Sequence, residues 1–262
     1  MTTTQQLWSL LTLILASILR PQTLSTFGKA SAGHEERALL LIAHPDDETF
    51  FFSPTLTALS RTPMQQVGGL GEIFVVCLST GNAKGVGDVR KEEFGRSLDI
   101  FGIPGERRFI LDHPYLQDNK TAAWDPAVIA NEIHPFVVEY GITTILTFDS
   151  HGITGHPNHQ STLAGAAYLV FNILPLSSPS THPRLFTLRS QPASTKHLGP
   201  LAILRSQQRE SPKGPVFIAS LVDYVMALRA MSKHSSQLRL FSCLKGLFSR
   251  YLWVNEWVEV TA

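Results

Sequence analysis

Short apolar runs recur along the chain, separated by stretches with helical spacing. Residues 37–43 (RALLLIA), 72–78 (EIFVVCL), 107–111 (RRFIL) and 143–148 (TTILTF) read as strands. Each is apolar almost throughout rather than alternating, the pattern of a parallel strand covered on both faces. Between them, residues 47–60, 88–101, 125–139 and 158–174 carry helical patterns, several opening on an Asp or Asn suited to a cap. The alternation predicts the α/β class: a Rossmann-like, doubly wound, mostly parallel sheet with helices on both faces. Residues 184–188 and 216–220 add later strands, while 175–183 and 190–215 read as loops.

Both ends of the chain carry apolar patterns of another kind. Residues 7–19 (LWSLLTLILASIL) are apolar apart from Ser9, Thr12 and Ser17, and shorter than the roughly 20 residues that span a bilayer comfortably. The run reads as a short membrane anchor. A cleaved signal peptide is the alternative, supported by Ala30-Ser31-Ala32 but opposed by the absence of basic residues before the run. The first positive charges, Arg20 and Lys29, follow the run and leave the downstream domain cytosolic. The resulting scheme is an anchor over 1–24, a linker over 25–36 and a catalytic domain over 37–262. Near the C-terminus, Leu240, Phe241, Leu244, Leu247, Phe248, Tyr251 and Leu252 recur at helical spacing. That helix either packs on the sheet or lies on a membrane surface, and Trp253 and Trp257 lean towards the membrane.

A formal net charge of +1 lacks the basicity of a nucleic-acid binder, so no DNA or RNA partner is expected. Cys77 and Cys243 belong to no CxxC or Cys/His spacing and read as buried thiols.

The chemistry concentrates after two of the strands. Ala43-His44-Pro45-Asp46-Asp47-Glu48 follows the first, and Asp149 to His159 (DSHGITGHPNH) follows the fourth. In open α/β sheets ligands bind at that edge, so the two clusters can converge. A His, a carboxylate and another His leave coordination positions open for water, as catalytic zinc requires. Arg90 and Glu93, three apart on a predicted helix, share a face, where a surface ion pair is the plain reading of Glu93.

AHPDDE with the downstream HPNH resembles the N-acetylglucosaminyl-phosphatidylinositol de-N-acetylase family, known as PIG-L, and its bacterial LmbE-like relatives. Further similarity lies in Ser79-Thr80-Gly81-Asn82, in residues 87–93 (GDVRKEE), in residues 101–104 (FGIP), in Thr147-Phe148-Asp149 and in residues 231–238 (MSKHSSQL). The resemblance implies that His44, Asp47 and His159 hold Zn²⁺ or another divalent metal. It makes Asp46 the general base, His156 the acid or oxyanion partner, Asp149 its orienting carboxylate and Arg90 a substrate contact. Ser150-His151 departs from the pattern expected of relatives, and His151 reads as exposed. The implied substrate is N-acetylglucosaminyl phosphatidylinositol, deacetylated during GPI-anchor biosynthesis at the endoplasmic reticulum membrane. The alternatives are a soluble glucosamine conjugate as substrate, or a non-catalytic member of the fold.

Overall fold

The computed structural model describes residues 5–6, 22–25, 27, 36–61, 70–174, 182–207, 214–238 and 248–261. In chain order these form β1 (Gln22–Ser25), β2 (Glu36–Ile42), α1 (Asp47–Phe50), α2 (Ser53–Arg61), β3 (Leu70–Cys77), α3 (Gly87–Phe101), β4 (Arg108–Ile110) and α4 (Pro126–Glu139). There follow β5 (Thr144–Phe148), α5 (Gly152–Gly155), α6 (Pro157–Tyr168), β6 (Arg184–Leu188), α7 (Ala193–Lys196), α8 (Leu201–Gln207), β7 (Val216–Ile218), α9 (Leu221–Met231) and β8 (Val254–Val260). The expected helix over 47–60 is broken in two, because Pro54 has no amide with which to continue it.

Among the described residues the strands make one sheet in the order β1-β7-β8-β6-β5-β2-β3-β4. β6, β5, β2, β3 and β4 run parallel, whereas β8 pairs antiparallel with β6 and β7, and β1 antiparallel with β7. Successive residues of β2 feed opposite faces, as the strand's period of two requires. Ala38, Leu40 and Ile42 join one core with Leu98 and Phe101 of α3, and Leu39, Leu41 and Ala43 join another with Ile129 and Ile133 of α4. Helices therefore cover both faces, as the sequence predicts. The chain winds one way from β2 to β3 and β4 and the other way to β5 and β6. The switch point between β2 and β5 opens a crevice beyond their C-terminal ends.

The C-terminal expectation changes. Residues 239–247 and the apolar run 7–19 lie outside the described residues, but Arg250–Leu252 is a 3-10 turn and Val254–Val260 an inner strand. Trp253 and Trp257 are only 4% and 1% exposed. They serve the core rather than a membrane surface. Trp257 packs against Phe52 and donates its indole N–H to Thr55. The stretch 190–215, read as loop, contains α7 and α8. Cys77 is a buried free thiol whose pKa burial pushes up, and Cys243 lies outside the described residues. Among the described residues no helix is long and apolar enough to cross a membrane.

Candidate metal centre and active site

The turn after β2 supplies the first half of the site. Asp47 opens α1, and its Oδ2 accepts the backbone amides of Ala43 and His44 at 3.1 and 2.9 Å. One carboxylate oxygen is thus committed to closing the turn, and the other, Oδ1, lies 3.2 Å from His159 Nε2. Asp46 precedes it with φ +113, a left-handed value that strains any residue with a Cβ.

The loop after β5 supplies the second half. Gly152 takes φ +57, and a Cβ there would lie 2.8 Å from that of His159, so only glycine lets the loop fold back onto α6. His159 stacks on Phe148 with centroids 4.2 Å apart, and its Nδ1 donates to the Gly152 carbonyl at 3.1 Å. That leaves Nε2 facing Asp47: burial alone would lower the His159 pKa, but the Asp47 charge and hydrogen bond raise it. Ligating histidines hold their second nitrogen in this way.

His44, Asp47 and His159 are all buried, with donor atoms within 4.8 Å of one another. Two imidazoles and a carboxylate suit zinc, and three protein ligands leave room for water and substrate. Burial alone would raise the Asp47 carboxyl, yet His159 and His44 hold it well below the usual carboxylate range. Burial lowers His44. Asp47 therefore stays anionic and His44 neutral, the protonation states that coordination requires.

Asp46 and His156 flank this set. Asp46 is driven up to about 7, chiefly by burial and further by the Asp47 charge, against the opposing pull of Arg90 3.4 Å away. His156 accepts the Asn158 amide on Nδ1 at 3.2 Å, capping α6, so its proton sits on Nε2. Burial, then His44 and His159, lower it to about 4. At neutral pH it is an uncharged N–H donor, which suits the oxyanion-partner side of the expected role.

The structure does not bring Asp149 to His156. Its two oxygens accept the amide and hydroxyl of Ser190 at 2.7 and 2.6 Å, and the Ser190 hydroxyl also accepts the Ile153 amide. Asp149 thereby braces the loop, in which Ile153 itself has φ +59. The carboxylate beside His156 is Asp118, 3.9 Å from its Nε2 and 3.4 Å from His44 Nε2. Sequence reasoning missed Asp118, which sits in a long loop after β4. The loop is tied down by the Asn119 amide bonding Asn158 and by the Trp124 indole bonding the Gln117 carbonyl.

Arg90 reaches the pocket from α3. Its guanidinium donates to the carbonyls of Gly81 and Pro45 and lies 3.6 Å from Asp118. Gly81, at φ +64, makes this approach possible, because a Cβ would stand 2.2 Å from Nη1. Glu93 does not pair with Arg90 at the surface. It is fully buried and accepts from Ser235 and from the amide and hydroxyl of Ser236. His151 is exposed, with 82% of its side chain accessible. His44, Asp46, Asp47, Arg90, Asp118, His156 and His159 line a cavity of about 610 Å³, whose lining also includes Lys84, Lys120 and Lys196.

The family model described as "PIG-L: GlcNAc-PI de-N-acetylase" matches residues 39–169. The N-acetylglucosaminyl-phosphatidylinositol de-N-acetylase of Bos taurus is 33% identical over 230 residues, covering 85% of this chain and 83% of that protein. The chain belongs to the PIG-L family. The probable N-acetylglucosaminyl-phosphatidylinositol de-N-acetylase of Schizosaccharomyces pombe is 38% identical over 63% of this chain and 64% of that protein. Among solved structures, an N,N'-diacetylchitobiose deacetylase from Pyrococcus horikoshii superposes with a TM-score of 0.59 at 14% identity, over 99% of this chain and 93% of that one. That likeness shows a shared fold over nearly the whole chain. Within the family match lie His44, Asp46, Asp47, Arg90, Asp118, His156 and His159, whereas β6 to β8 lie beyond it.

Proposed function

We propose that this PIG-L family chain is a metal-dependent hydrolase that removes the N-acetyl group from N-acetylglucosaminyl phosphatidylinositol, giving acetate and glucosaminyl phosphatidylinositol. The observation that carries the reading is the convergence of His44, Asp47 and His159 at the sheet's switch point, with Asp46 and His156 beside them. The named activity of the Bos taurus relative supplies the substrate.

Zn²⁺ held by those three residues would polarise the acetyl carbonyl and lower the pKa of water from 15.7 to about 7. Asp46 takes the proton of the attacking water, a role suited to a carboxyl whose pKa is near neutrality. As the carbonyl oxygen gains charge, the His156 Nε2–H donates to it, and a neutral donor already aimed into the pocket needs no prior protonation. The C–N bond then breaks, the proton held by Asp46 passes to the departing amine, and acetate is released. Asp118 and Arg90 offer an acceptor and a donor side by side for sugar hydroxyls. Lys84, Lys120 and Lys196 support a phosphodiester-bearing substrate over an uncharged soluble conjugate.

The lipid substrate also supports the reading of residues 1–24 as a single-pass anchor in the endoplasmic reticulum membrane, 25–36 as a linker and 37–262 as a cytosolic catalytic domain. Acetate release from the glycolipid by purified protein, with chelator and after zinc addition, tests the chemistry. Full activity without a divalent metal would sink it. Deleting residues 2–30 should move the protein off membranes while leaving turnover in detergent. Secretion of a chain trimmed near Ala32 would refute the anchor.

A further inference from the structure

A second polar cluster lies behind the Asp46 turn, outside the cavity lining. Glu48 and His234 are both 0% exposed, with His234 Nε2 2.5 Å from Glu48 Oε1. The Ser97 hydroxyl donates to the same oxygen at 2.6 Å. The other oxygen, Oε2, accepts the backbone amide of Asp46 at 2.9 Å. That amide belongs to the residue held at φ +113, and the Asp46 carbonyl is gripped from the opposite side by the amides of Thr49 and Phe50. Glu93 in turn fixes the neighbours of His234 through Ser235 and Ser236. The segment 231–238 thus docks on two buried carboxylates, and the bonds of one of them end on the proposed base.

A buried carboxylate is an expensive way to fill space, since an apolar side chain would pack there without desolvating a charge. What Glu48 provides and an apolar residue cannot is an acceptor for the Asp46 amide. We propose that Glu48, oriented by His234 and Ser97, is the positioning residue for Asp46. It holds the strained turn in which Asp46 faces the pocket while Asp47 faces the histidines. The proposal rests on Asp46 being the base.

The test is a double-mutant cycle on the full chain in detergent, zinc-supplemented, with N-acetylglucosaminyl phosphatidylinositol as substrate. His234→Leu removes the donor to Glu48, whereas His234→Gln can still donate. Glu48→Gln removes the charge. His234→Leu should lower kcat by roughly 10- to 100-fold, the scale of a small misplacement of a catalytic group, with KM and bound zinc unchanged. His234→Gln should recover most of the loss. In an Asp46→Asn background, His234→Leu should cost nothing further, because residues that act as a unit are not additive. An equal fold-loss in both backgrounds would overturn the proposal while leaving the base assignment intact. Wild-type kcat in both His234→Leu and Glu48→Gln would overturn it as well. Undiminished turnover in Asp46→Asn alone would refute the base reading and the proposal with it. Should His234→Leu fail to fold, Glu48→Gln in the two Asp46 backgrounds carries the same comparison.

Discussion

Asp46 and Asp47 have the same side chain, yet changing each to Asn should have opposite consequences for the metal. The Asp46 carboxylate meets Arg90 at 3.4 Å and opens to the pocket, with 22% of the side chain exposed. Asn there keeps the volume and the contact, so fold and metal should survive while the base is lost. General-base assistance contributes about 10²- to 10⁴-fold, or roughly 3–5 kcal/mol of barrier. Asp47 is buried and fully engaged, with one oxygen on two backbone amides and the other facing His159. An Asn amide must turn its NH₂ towards one of those sides. Facing the backbone it meets two N–H donors, and facing His159 it blocks the metal. The first orientation leaves buried donors unpaired at about 1–3 kcal/mol, so Asp47→Asn should lower stability as well as metal affinity. Metal stoichiometry, acetate release and the thermal midpoint, followed across a zinc titration, separate the two. Asp47→Asn should recover partly with excess zinc, and Asp46→Asn should not respond. If Asp46→Asn loses metal and zinc restores it while Asp47→Asn keeps its metal, the two assignments are exchanged.

Gly81→Ala should destabilise the protein and raise KM, because its Cβ would displace Arg90. Gly85→Ala, with φ +71 but nothing within 4 Å, is its control: the backbone strain of about 1–2 kcal/mol is shared. Equal KM values for the two variants would remove Arg90 from substrate contact. Lys84→Glu with Lys120→Glu should raise KM for the phosphodiester substrate more than for a phosphate-free analogue, and the gap should narrow as salt rises. Equal effects on both substrates would rule out a charge role for that rim. Glu93 gives an acid-stability prediction. Burial opposes its ionisation, but the bonds from Ser236 and Ser235 outweigh it and hold the carboxyl below its usual 4.5. A depressed carboxyl stabilises the fold above that value, and the contribution fades as pH falls below it. Glu93→Gln should therefore flatten the fall in urea midpoint between neutral and acid pH, and an unchanged slope would contradict this.

The parallel strands were legible because burial on both faces makes each a continuous apolar run, as in residues 39–42 of β2. The HPDDE cluster was legible because it directly follows a strand end, and HPNH because it lies in the turn and helix start that follow β5. β8 was not, since VNEWVEV carries three polar residues and only long-range partners reveal why they are tolerated. Asn255 bonds Thr55 and the Phe51 carbonyl, and Glu256 pairs with Arg250. Asp118 was hidden for a related reason. Asp112, Asp118 and Asp125 share one loop, and contacts such as the Asn119–Asn158 tie and the approach of Arg90 place Asp118 beside the histidines. Asp149 and Glu93 have partners that sequence spacing could not foresee, because Ser190 and Ser236 claim those carboxylates.

The position of β8 also constrains how the protein is made. Each of β3 to β6 has a parallel neighbour synthesised before it, so these strands can pair with β2 and with one another as they leave the ribosome. β7 cannot join them. It meets the sheet only through β8, which separates it from β6 and is translated some forty residues later. Until residues 254–260 emerge, β6 presents a bare edge, and exposed edges invite pairing with other chains. A nonsense codon shortly before Val254 would spare His44, Asp47 and His159 and still release a polypeptide with two open seams. Such a product should reach the cell's degradation machinery before it ever meets substrate.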